Sequence, residues 1–416
     1  MRKIRLSVAR EDTRRKVAVM KRMSMVEPGV LRLEDAPVPA PGEGEALVEV
    51  KVVGVCGSDV HAFRGKHPFI SCPIVPGHEF SGVVRGVGPL GPASAAMNAL
   101  EPTHAGRTDR VLHPQVDGVG GSRGNAGAAA EQPGPGTEPK AGEMGVMRDA
   151  ALIGKRVTGL PSLVCGTCYN CRHGRYNICN SLRVVGCQAD GALAELVRVP
   201  AEFLVPLPDG LTFEDGAMVE PVAVGVHAVR RAGAGVGGAR VMVLGSGTIG
   251  LVVVQVLKAY GAREVIVTDL NERRLALASE LGADYTINVR DVDPVARVHE
   301  WFGRDGIDLS FECVGIGPTV RQAILANRKG TKVIIVGVFE EEVPVPMGLV
   351  QDREIELVGT LMYTLDDFIE AARLVARGLV HVAPLVTHRF RLEEAQQAFE
   401  TAADPASGAI KVLITV

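Results

Sequence analysis

The segment Val241-Met-Val-Leu-Gly245-Ser-Gly247-Thr-Ile-Gly250 specifies the architecture of the C-terminal half of this chain. Four apolar residues lead into the spacing G-x-G-x-x-G, and the apolar stretch Leu251–Tyr260 follows with a helical pattern. This order is typical of a strand, a tight turn and a helix whose free N–H groups and partial positive charge bind a pyrophosphate. Gly245 permits the turn, Gly247 lets the backbone approach the phosphates, and Gly250 allows the helix to pack closely on the strand. The segment therefore predicts a dinucleotide site at Gly245, Gly247, Thr248, Ile249 and Gly250.

Strand-like runs separated by helical patterns continue beyond this segment. Val265–Thr268, Leu309–Phe311 and Val333–Val336 are short and apolar, which predicts a parallel sheet with crossover helices. The first of these runs ends at Asp269, at the distance from Gly250 that a dinucleotide fold requires of its ribose-binding acid. A carboxylate at this place accepts hydrogen bonds from the ribose hydroxyls and repels a 2′-phosphate, so it favours NAD over NADP. A glycine-rich turn that binds nothing is the alternative interpretation.

The whole chain has the composition of a globular protein with more than one core. Its 416 residues exceed what one ordinary core accommodates, and 46% of them are hydrophobic and 22% charged. The formal net charge of −3 gives no basic field for nucleic acid or an anionic membrane. No apolar run approaches the roughly 20 residues that span a bilayer, and Met1–Lys16 lacks the apolar core of a secretory signal. We predict a soluble, cytoplasmic protein of two domains.

From Val17 the chain is β-rich, with Val-rich runs such as Leu47–Val53 between Pro/Gly turns. One segment, at about residues 89–153, fits neither half. Pro89–Ala150 is dominated by Gly, Ala and Pro and contains no aromatic residue. Such a stretch buries too little apolar surface to offset its ordering entropy. We interpret it as a flexible surface insertion, and a lid or an oligomer contact is the alternative.

Half of the eight cysteines lie close together in the spacing C-x2-C-x2-C-x7-C; they are Cys165, Cys168, Cys171 and Cys179. In a large chain without a secretion signal, clustered thiols bind metal more often than they form disulfides. Four thiolates at these intervals can close a tetrahedron around one Zn²⁺ and leave no coordination position open. Residues 165–179 therefore predict a structural zinc lobe.

A second group of metal-binding residue types has a more open pattern. It consists of C-G-S-D-V-H at Cys56–His61, Gly77-His78-Glu79, and Glu220-Pro221 shortly before the dinucleotide segment. One thiolate, one imidazole and one or two carboxylates are too few for a closed structural site, and they suit an open zinc site with room for water or substrate. Taken singly, Cys56 could be a small buried apolar residue, and Glu79 and Glu220 could be ion-pair partners.

With both zinc patterns ahead of the dinucleotide fingerprint, the chain resembles the zinc-dependent medium-chain dehydrogenase/reductase (alcohol dehydrogenase) family. The motif V-E-P-V-A-V-G-V-H-A at Val219–Ala228 is similar to the sorbitol and butanediol dehydrogenase branch, in which Glu-Pro replaces a cysteine ligand. The resemblance implies an α/β fold with a Rossmann domain, a doubly wound parallel sheet, at residues 222–356. It also implies a GroES-like, partly β-barrel catalytic domain from residues 17–221 and 357–416, and a homodimer or homotetramer.

The resemblance also implies roles for individual residues. Cys56 and His78 are implied ligands of a catalytic zinc, Glu79 is a ligand or a carboxylate held beside the metal, and Glu220 binds it directly or through water. Ser58 and His61 sit where the family passes the alcohol proton outward. Implied contacts with NAD, besides Ile249, come from Asp269, Arg274, Val336, Gly337 and Val338. The implied reaction is reversible oxidation of a secondary alcohol to a ketone, with hydride transfer to NAD.

Two departures from the sorbitol dehydrogenase pattern bear on the substrate. Ala62 stands where those enzymes have a tyrosine, and Met362 stands where they have an arginine before Tyr363. These changes remove donors that would bind polyol hydroxyls, and the run Tyr363–Phe368 is closer to butanediol-type enzymes. We therefore predict a small vicinal diol or hydroxy-ketone as the substrate, with a threonine dehydrogenase activity as the runner-up.

Two interpretations from other classes remain open at this stage. One is an NAD-binding module without catalysis, and the other is a zinc-finger protein that binds nucleic acid through residues 165–179. The net charge disfavours the second interpretation. Metal content separates the three, because the enzyme holds two zinc ions per chain, the bare module none and the finger one.

Overall fold

The computed structural model describes residues 18–89 and 149–416. The predicted insertion at about residues 89–153 lies almost entirely outside the described residues, as does the basic segment Met1–Lys16. The strands of the described part are, in chain order, β1 (Val19–Glu27), β2 (Val30–Pro37), β3 (Glu45–Val55), β4 (Glu79–Val87), β5 (Arg156–Gly159), β6 (Ser162–Leu163), β7 (Arg183–Val184), β8 (Leu196–Pro200), β9 (Leu204–Pro206), β10 (Arg240–Leu244), β11 (Glu264–Asp269), β12 (Tyr285–Asn288), β13 (Ile307–Glu312), β14 (Asn327–Ile335), β15 (Glu356–Gly359), β16 (Val386–Arg391) and β17 (Lys411–Thr415). Its α-helices are α1 (Gly57–Phe63), α2 (Tyr169–Arg172), α3 (Phe213–Ala232), α4 (Thr248–Ala259), α5 (Glu272–Glu280), α6 (Pro294–Phe302), α7 (Gly317–Ala326), α8 (Met347–Asp352), α9 (Leu365–Ala376) and α10 (Ala395–Ala403).

A largely antiparallel sheet forms the body of the β-rich half. Its strand order is β16-β17-β3-β4-β5-β9, and β8 also pairs with β3. Along β3, inward residues such as Val48 and Val50 alternate with less buried ones, as the two-residue period of a strand requires. Strand β17 pairs with β3, with Val412 opposite Val55. Strand β17 therefore joins the sheet to which β3 and β4 belong.

A six-stranded parallel sheet forms the other half, in the order β12-β11-β10-β13-β14-β15. The order runs in opposite directions from β10, so the connections reverse between β10 and β13, where such sheets bind ligands. Alternate residues of β10 enter different cores, with Val241 and Val243 on one face and Met242 and Leu244 on the other. Both faces are thus covered, and the predicted doubly wound parallel sheet is confirmed.

Helix α3 joins the two halves. Thr212 and Asp215 form a capping box at its start, and 13 of its 20 residues are buried. A Cβ at Gly225 would lie 2.6 Å from Cγ1 of Val252, so glycine lets α3 pack closely on α4. The predicted domain limit at residues 221/222 falls inside α3, and the limit at 356/357 falls inside β15. Both limits remain predictions. Among the described helices, none combines the length and the apolar character needed to cross a membrane.

Candidate active site and metal centres

The pairing of β3 with β4 assembles the predicted catalytic metal cluster. Cys56 follows β3 at the N-cap of α1, while His78 and Glu79 stand at the start of β4. One ligand atom from each of these three residues lies within 4.8 Å of the others. Gly54 is the partner of Glu79 in the ladder, and a Cβ there would lie 2.0 Å from the Glu79 carboxylate. The glycine therefore leaves the space in which this carboxylate lies.

His78 has a polar group on each side of its ring. Ser58 Oγ lies 3.5 Å from Nε2, while Asp59 Oδ1 and Cys187 Sγ lie 3.7 and 3.9 Å from Nδ1. Asp59 accepts a hydrogen bond from the Cys56 N–H through Oδ2, and Oδ1 has no hydrogen-bond partner among the described residues. Burial alone would lower the pKa of His78, but Asp59, Cys187 and Cys56 raise it well above its usual value. A thiol, an imidazole and buried carboxylates in this arrangement fit a zinc ion, which prefers such nitrogen, sulfur and oxygen donors.

Glu79 is also held by a buried cation. Lys411 Nζ lies 2.6 and 2.7 Å from the two carboxylate oxygens of Glu79, and it donates to Val55 O at 3.3 Å. Both side chains are at most 3% exposed. Because both oxygens already accept hydrogen bonds, Glu79 can bind a metal only alongside or in place of this ammonium group. The geometry is therefore compatible with both predicted roles of Glu79, as a metal ligand and as a carboxylate beside the metal.

Glu220 lies on α3, outside the three residues whose ligand atoms approach one another in the described chain. The buried Tyr363 hydroxyl donates a hydrogen bond of 2.5 Å to Glu220 Oε1. Burial raises the pKa of Glu220 to about 7, while the charge of His78 and the Tyr363 hydrogen bond lower it. The charges of the metal cluster therefore influence the pKa of Glu220. Its role as a direct ligand remains a prediction.

The four-cysteine lobe has the geometry of a second metal centre. All four sulfur atoms lie within 4.8 Å of one another, and Cys165 Sγ is 3.5 Å from Cys179 Sγ. Backbone N–H groups point at the sulfurs, for example Cys168 N–H at Cys165 Sγ (3.3 Å). These hydrogen bonds lower the pKa of Cys165 to about 6, whereas burial raises that of Cys171 to about 12. The four free thiols fit the closed zinc site predicted for residues 165–179.

The glycine turn after β10 has the predicted shape. Gly245 has φ of +99°, a conformation that favours glycine. A Cβ on Gly250 would lie 1.9 Å from Gly245 O, so helix and strand touch there, whereas a Cβ on Gly247 would meet nothing within 4 Å. Asp269 accepts hydrogen bonds from the N–H groups of Ser246 (2.7 Å) and Asn271 (2.9 Å), which keeps its carboxylate beside the turn.

The other predicted cofactor residues lie at the same end of the parallel sheet as this turn. Thr248 Oγ1 donates to Ile410 O at 2.6 Å, and the Arg274 guanidinium donates to Ala409 O at 3.0 Å. The residues just before Lys411 are therefore hydrogen-bonded to Thr248, in the glycine turn Gly245–Gly250 (the dinucleotide turn), and to Arg274. On the opposite side, the N–H groups of Val336 and Gly337 donate to Glu312 O at 2.8 and 2.9 Å, and Val338 is 63% exposed. Ile249 lies half-buried in the turn.

Comparisons with known proteins agree with this geometry. A family model described as a zinc-binding dehydrogenase matches residues 248–377, and one described as an alcohol dehydrogenase GroES-like domain matches residues 42–131 and 140–209. Sorbitol dehydrogenase from Gallus gallus is 36% identical over 382 residues, which cover 90% of each chain. This chain belongs to the zinc-dependent medium-chain dehydrogenase family. Within this family it falls in the branch that resembles sorbitol dehydrogenase.

Solved structures of other dehydrogenases have the same architecture. A zinc-binding dehydrogenase from Sinorhizobium meliloti bound to NADP superimposes with a TM-score of 0.76 at 28% identity, covering 96% of this chain and 100% of that one. The (2R,3R)-butanediol dehydrogenase from Bacillus subtilis superimposes with a TM-score of 0.73 at 26% identity, covering 95% and 99%. The predictions of a GroES-like second domain, of an alcohol or polyol dehydrogenase, and of zinc and a nicotinamide dinucleotide as cofactors are confirmed.

Several residues of this dehydrogenase site escaped the sequence reasoning. Asp59 and Cys187 contact His78, Lys411 contacts Glu79, and Tyr363 contacts Glu220. The sequence could have indicated a buried role for Lys411, because it is the one charged residue in the apolar strand Lys411–Thr415. Cys187 had no such signal for this site, because it follows the cysteine lobe in the sequence and stands 109 residues from His78.

The structural lobe also contacts the active-site wall. Asn177 donates to Leu361 O at 2.9 Å, and the N–H of Leu365 donates to the Tyr176 hydroxyl at 2.5 Å. Tyr363 lies between these two contacts. The dehydrogenase therefore uses the lobe to support the segment that holds Glu220.

Proposed function

We propose that this dehydrogenase oxidises the secondary alcohol of a small vicinal diol to the ketone, reversibly, with NAD as the hydride acceptor. The observation that carries the proposal is the cluster of Cys56, His78 and Glu79. It lies next to the Ala409–Lys411 segment that is bonded to the dinucleotide turn. A metal ligand set connected in this way to a dinucleotide site supports a hydride transfer between a bound alcohol and a nicotinamide.

The proposed roles follow from the contacts of each side chain. A zinc ion held by Cys56, His78 and Glu79 would supply Lewis acidity to the alcohol oxygen. The nicotinamide would supply the hydride acceptor. Ser58 and His61 take the hydroxyl proton and pass it to solvent. Asp59 and Cys187 orient the His78 ring, and Lys411 holds the Glu79 carboxylate in place.

The size of the substrate is proposed from two positions near the site. Ala62 is buried in the core of the β-rich half at the position where a polyol enzyme has a phenol, and Met362 (φ +49°) has no donor where one has a guanidinium. The Tyr363 hydroxyl already donates a hydrogen bond to Glu220. The absence of these two donors favours a short diol. A longer polyol is the second candidate, and the 36% identity with the Gallus gallus sorbitol dehydrogenase favours it.

Four further points remain proposals. The choice of NAD as the coenzyme rests on Asp269. The family resemblance supports the domain limits, which are 17–221, 222–356 and 357–416. The same resemblance supports an assembly of two or four chains. A cytoplasmic location is a prediction from the sequence.

A substrate panel and two metal-ligand variants test the proposal. We expect NADH formation from 2,3-butanediol to exceed that from sorbitol or L-threonine in kcat/KM. Cys56→Ser and His78→Ala should abolish turnover and lower the zinc content from two ions per chain to one, with NAD binding retained. Cys72→Ser is the matched control, because Cys72 belongs to neither metal cluster. Activity at the wild-type level in Cys56→Ser or His78→Ala would contradict the catalytic role of this cluster.

The coenzyme proposal has its own test. Asp269→Ser combined with Leu270→Arg removes the carboxylate that would repel a 2′-phosphate and adds a guanidinium that attracts it. We expect the ratio of kcat/KM with NADP to that with NAD to rise about tenfold or more, which corresponds to about 1.4 kcal/mol. An unchanged ratio would show that Asp269 does not face the ribose.

A further inference from the structure

Glu312, the last residue of β13, has a buried carboxylate that the proposed reaction does not use. Its Oε1 accepts hydrogen bonds from the N–H groups of Val314 (2.9 Å) and Gly315 (2.8 Å). The Thr319 hydroxyl donates a third hydrogen bond to the same oxygen at 2.7 Å. Donors that converge in this way stabilise a charged carboxylate, because hydrogen bonds to an ionised acceptor are the stronger ones.

The second carboxylate oxygen of Glu312 is unpaired. Oε2 is buried and has no hydrogen-bond partner in the described part of the chain. Arg240 and Lys332, which are cations on the two neighbouring strands, form ion pairs with other carboxylates. Burial raises the pKa of Cys313 well above its usual value, and the charge of Glu312 raises it further. An unpaired oxygen of a buried carboxylate costs free energy, and a ligand with a positive charge nearby would offset that cost.

Glu312 also contacts the turn that follows β14. Its main-chain oxygen accepts hydrogen bonds from the N–H groups of Val336 (2.8 Å) and Gly337 (2.9 Å). A Cβ on Gly337 would lie 2.6 Å from Glu312 Oε2, so this turn packs directly on the unpaired oxygen. A Cβ on Gly245 would lie 2.6 Å from Cγ2 of Val314. Glu312 is therefore connected to the turn after β14 directly and to the dinucleotide turn through Val314.

The strand order indicates which part of a dinucleotide would lie on the side of Glu312. Leu244 pairs with Thr268 on one side and with Glu312 on the other, so β11, β10 and β13 end at the same edge of the sheet. Asp269 at the end of β11 is the proposed ribose-binding acid, and the turn after β10 is the proposed pyrophosphate site. A dinucleotide that binds across the reversal between β10 and β13 has its nicotinamide half on the β13 side.

We propose that the charge of Glu312 increases the affinity of this dehydrogenase for NAD⁺ relative to NADH. The oxidised nicotinamide ring has a positive charge and the reduced ring has none, so a buried carboxylate on this side attracts the oxidised ring alone. The inference rests on the proposed use of NAD. Its consequence is that NADH dissociates more easily after the alcohol is oxidised, and product release is the slow step in many enzymes.

Equilibrium binding of three ligands to the zinc-loaded, full-length protein tests the proposal. The ligands are NAD⁺, NADH and ADP-ribose, which has no nicotinamide, and calorimetry and NADH fluorescence measure their Kd values. Glu312→Gln removes the charge and keeps an acceptor for the two N–H groups. In this variant the Kd of NAD⁺ should rise about tenfold, while the Kd values of NADH and ADP-ribose should change less than about twofold.

Two control variants keep the charge of Glu312. Thr319→Val removes one hydrogen bond from Oε1, and Glu341→Gln removes an exposed carboxylate shortly after the turn that follows β14. Both should leave the ratio of the Kd values for NAD⁺ and NADH unchanged. Glu312→Met removes the charge without burying an unpaired amide, and we expect the same selective loss of NAD⁺ affinity from it. Melting temperature and zinc content show whether each variant is folded.

Two results would overturn the inference while the proposed function stands. An equal loss of affinity for NAD⁺, NADH and ADP-ribose would show that Glu312 only holds the two turns in place. Unchanged Kd values in both charge-removing variants would show that the charge does not act on the nicotinamide. A wild-type protein that binds neither NAD⁺ nor NADH would instead overturn the proposed coenzyme, and this inference with it.

Discussion

Among single residues, Glu79 and Lys411 form a buried ion pair at the metal cluster. It joins a residue of the metal cluster to the last strand of the chain, and neither side chain has access to solvent. Removing one partner of a buried ion pair leaves an uncompensated charge in a medium of low polarity. The pair therefore acts on stability and on metal binding together.

Lys411→Met should lower the free energy of unfolding of the zinc-free protein by about 3–5 kcal/mol, because the Glu79 carboxylate remains buried without a counter-charge. The loss should be smaller in the zinc-loaded protein, where the metal supplies that counter-charge. Denaturant unfolding with and without zinc measures both values.

The matched control is Lys329→Met, which breaks an exposed ion pair with Asp352 and should cost less than about 1 kcal/mol. A loss for Lys411→Met no larger than that of the control would show that the buried pair does not stabilise the fold.

Among the helices and strands, helix α9 holds the active-site segment against α3 through Asp367. The carboxylate of Asp367 caps α9 by accepting from Thr364 N–H, and it receives hydrogen bonds of 2.8 Å from His227 and from Arg230 on α3. Burial alone would raise the pKa of Asp367, but the hydrogen bonds from His227 and Thr364 lower it to about 2. Tyr363 directly precedes this capped helix, so the same contacts support Glu220.

Asp367→Asn should destabilise the protein by about 2 kcal/mol at pH 7, as expected from a pKa lowered from 3.8 to about 2. The sign follows from the direction of the shift. A lowered pKa contributes stability that is fully present above about pH 4 and is lost as the pH falls towards 2. The stability difference between wild type and Asp367→Asn should therefore shrink between pH 4 and pH 2, which denaturation midpoints at several pH values would measure.

Asp366→Asn provides the comparison for Asp367→Asn, because Asp366 is exposed on the first turn of the same helix. It should change the midpoint little at any pH. A pH-independent loss in Asp367→Asn would contradict the electrostatic explanation and indicate a loss of packing.

Across the molecule as a whole, the described residues on both sides of the insertion are held together by β4 and β5. Ser81 pairs with Thr158 and Val83 with Arg156, and the N–H of Gly154 donates to Val84 O at 2.8 Å. The ladder thus brings the described residues on both sides of the insertion to the same end of the paired strands β4 and β5. A short loop could connect them without changing the pairing.

Deletion of Pro92–Gly145 should therefore leave the fold, the NAD affinity and the zinc content unchanged. Circular dichroism, an NAD titration and metal analysis would check these three properties, and gel filtration would report any change in assembly. An insoluble protein, or one that has lost NAD binding, would show that the insertion stabilises the catalytic half. A change in assembly alone would favour the oligomer contact.

The features that could be predicted from the sequence are those formed by residues close together in the chain. The glycine turn at Gly245–Gly250 and the cysteine lobe at residues 165–179 each occupy one short stretch, so spacing and residue type define their geometry. The pattern of apolar runs likewise predicts the parallel sheet, because each strand and helix buries a face of its own. The resemblance to the dehydrogenase family added the candidate ligands, but their final arrangement was not readable from spacing.

By contrast, the ion pairs and hydrogen bonds between residues far apart in the chain are determined only by the three-dimensional fold. Lys411 reaches Glu79 because β17 pairs with β3 and β3 pairs with β4, and His61 reaches Glu340 because the two halves meet beside α1. Tyr363 reaches Glu220 because α9 packs on α3. Nothing in the sequence near any of these residues specifies its partner. A hydrogen bond or ion pair depends on distances of a few ångströms, and only the packing of distant elements determines those distances.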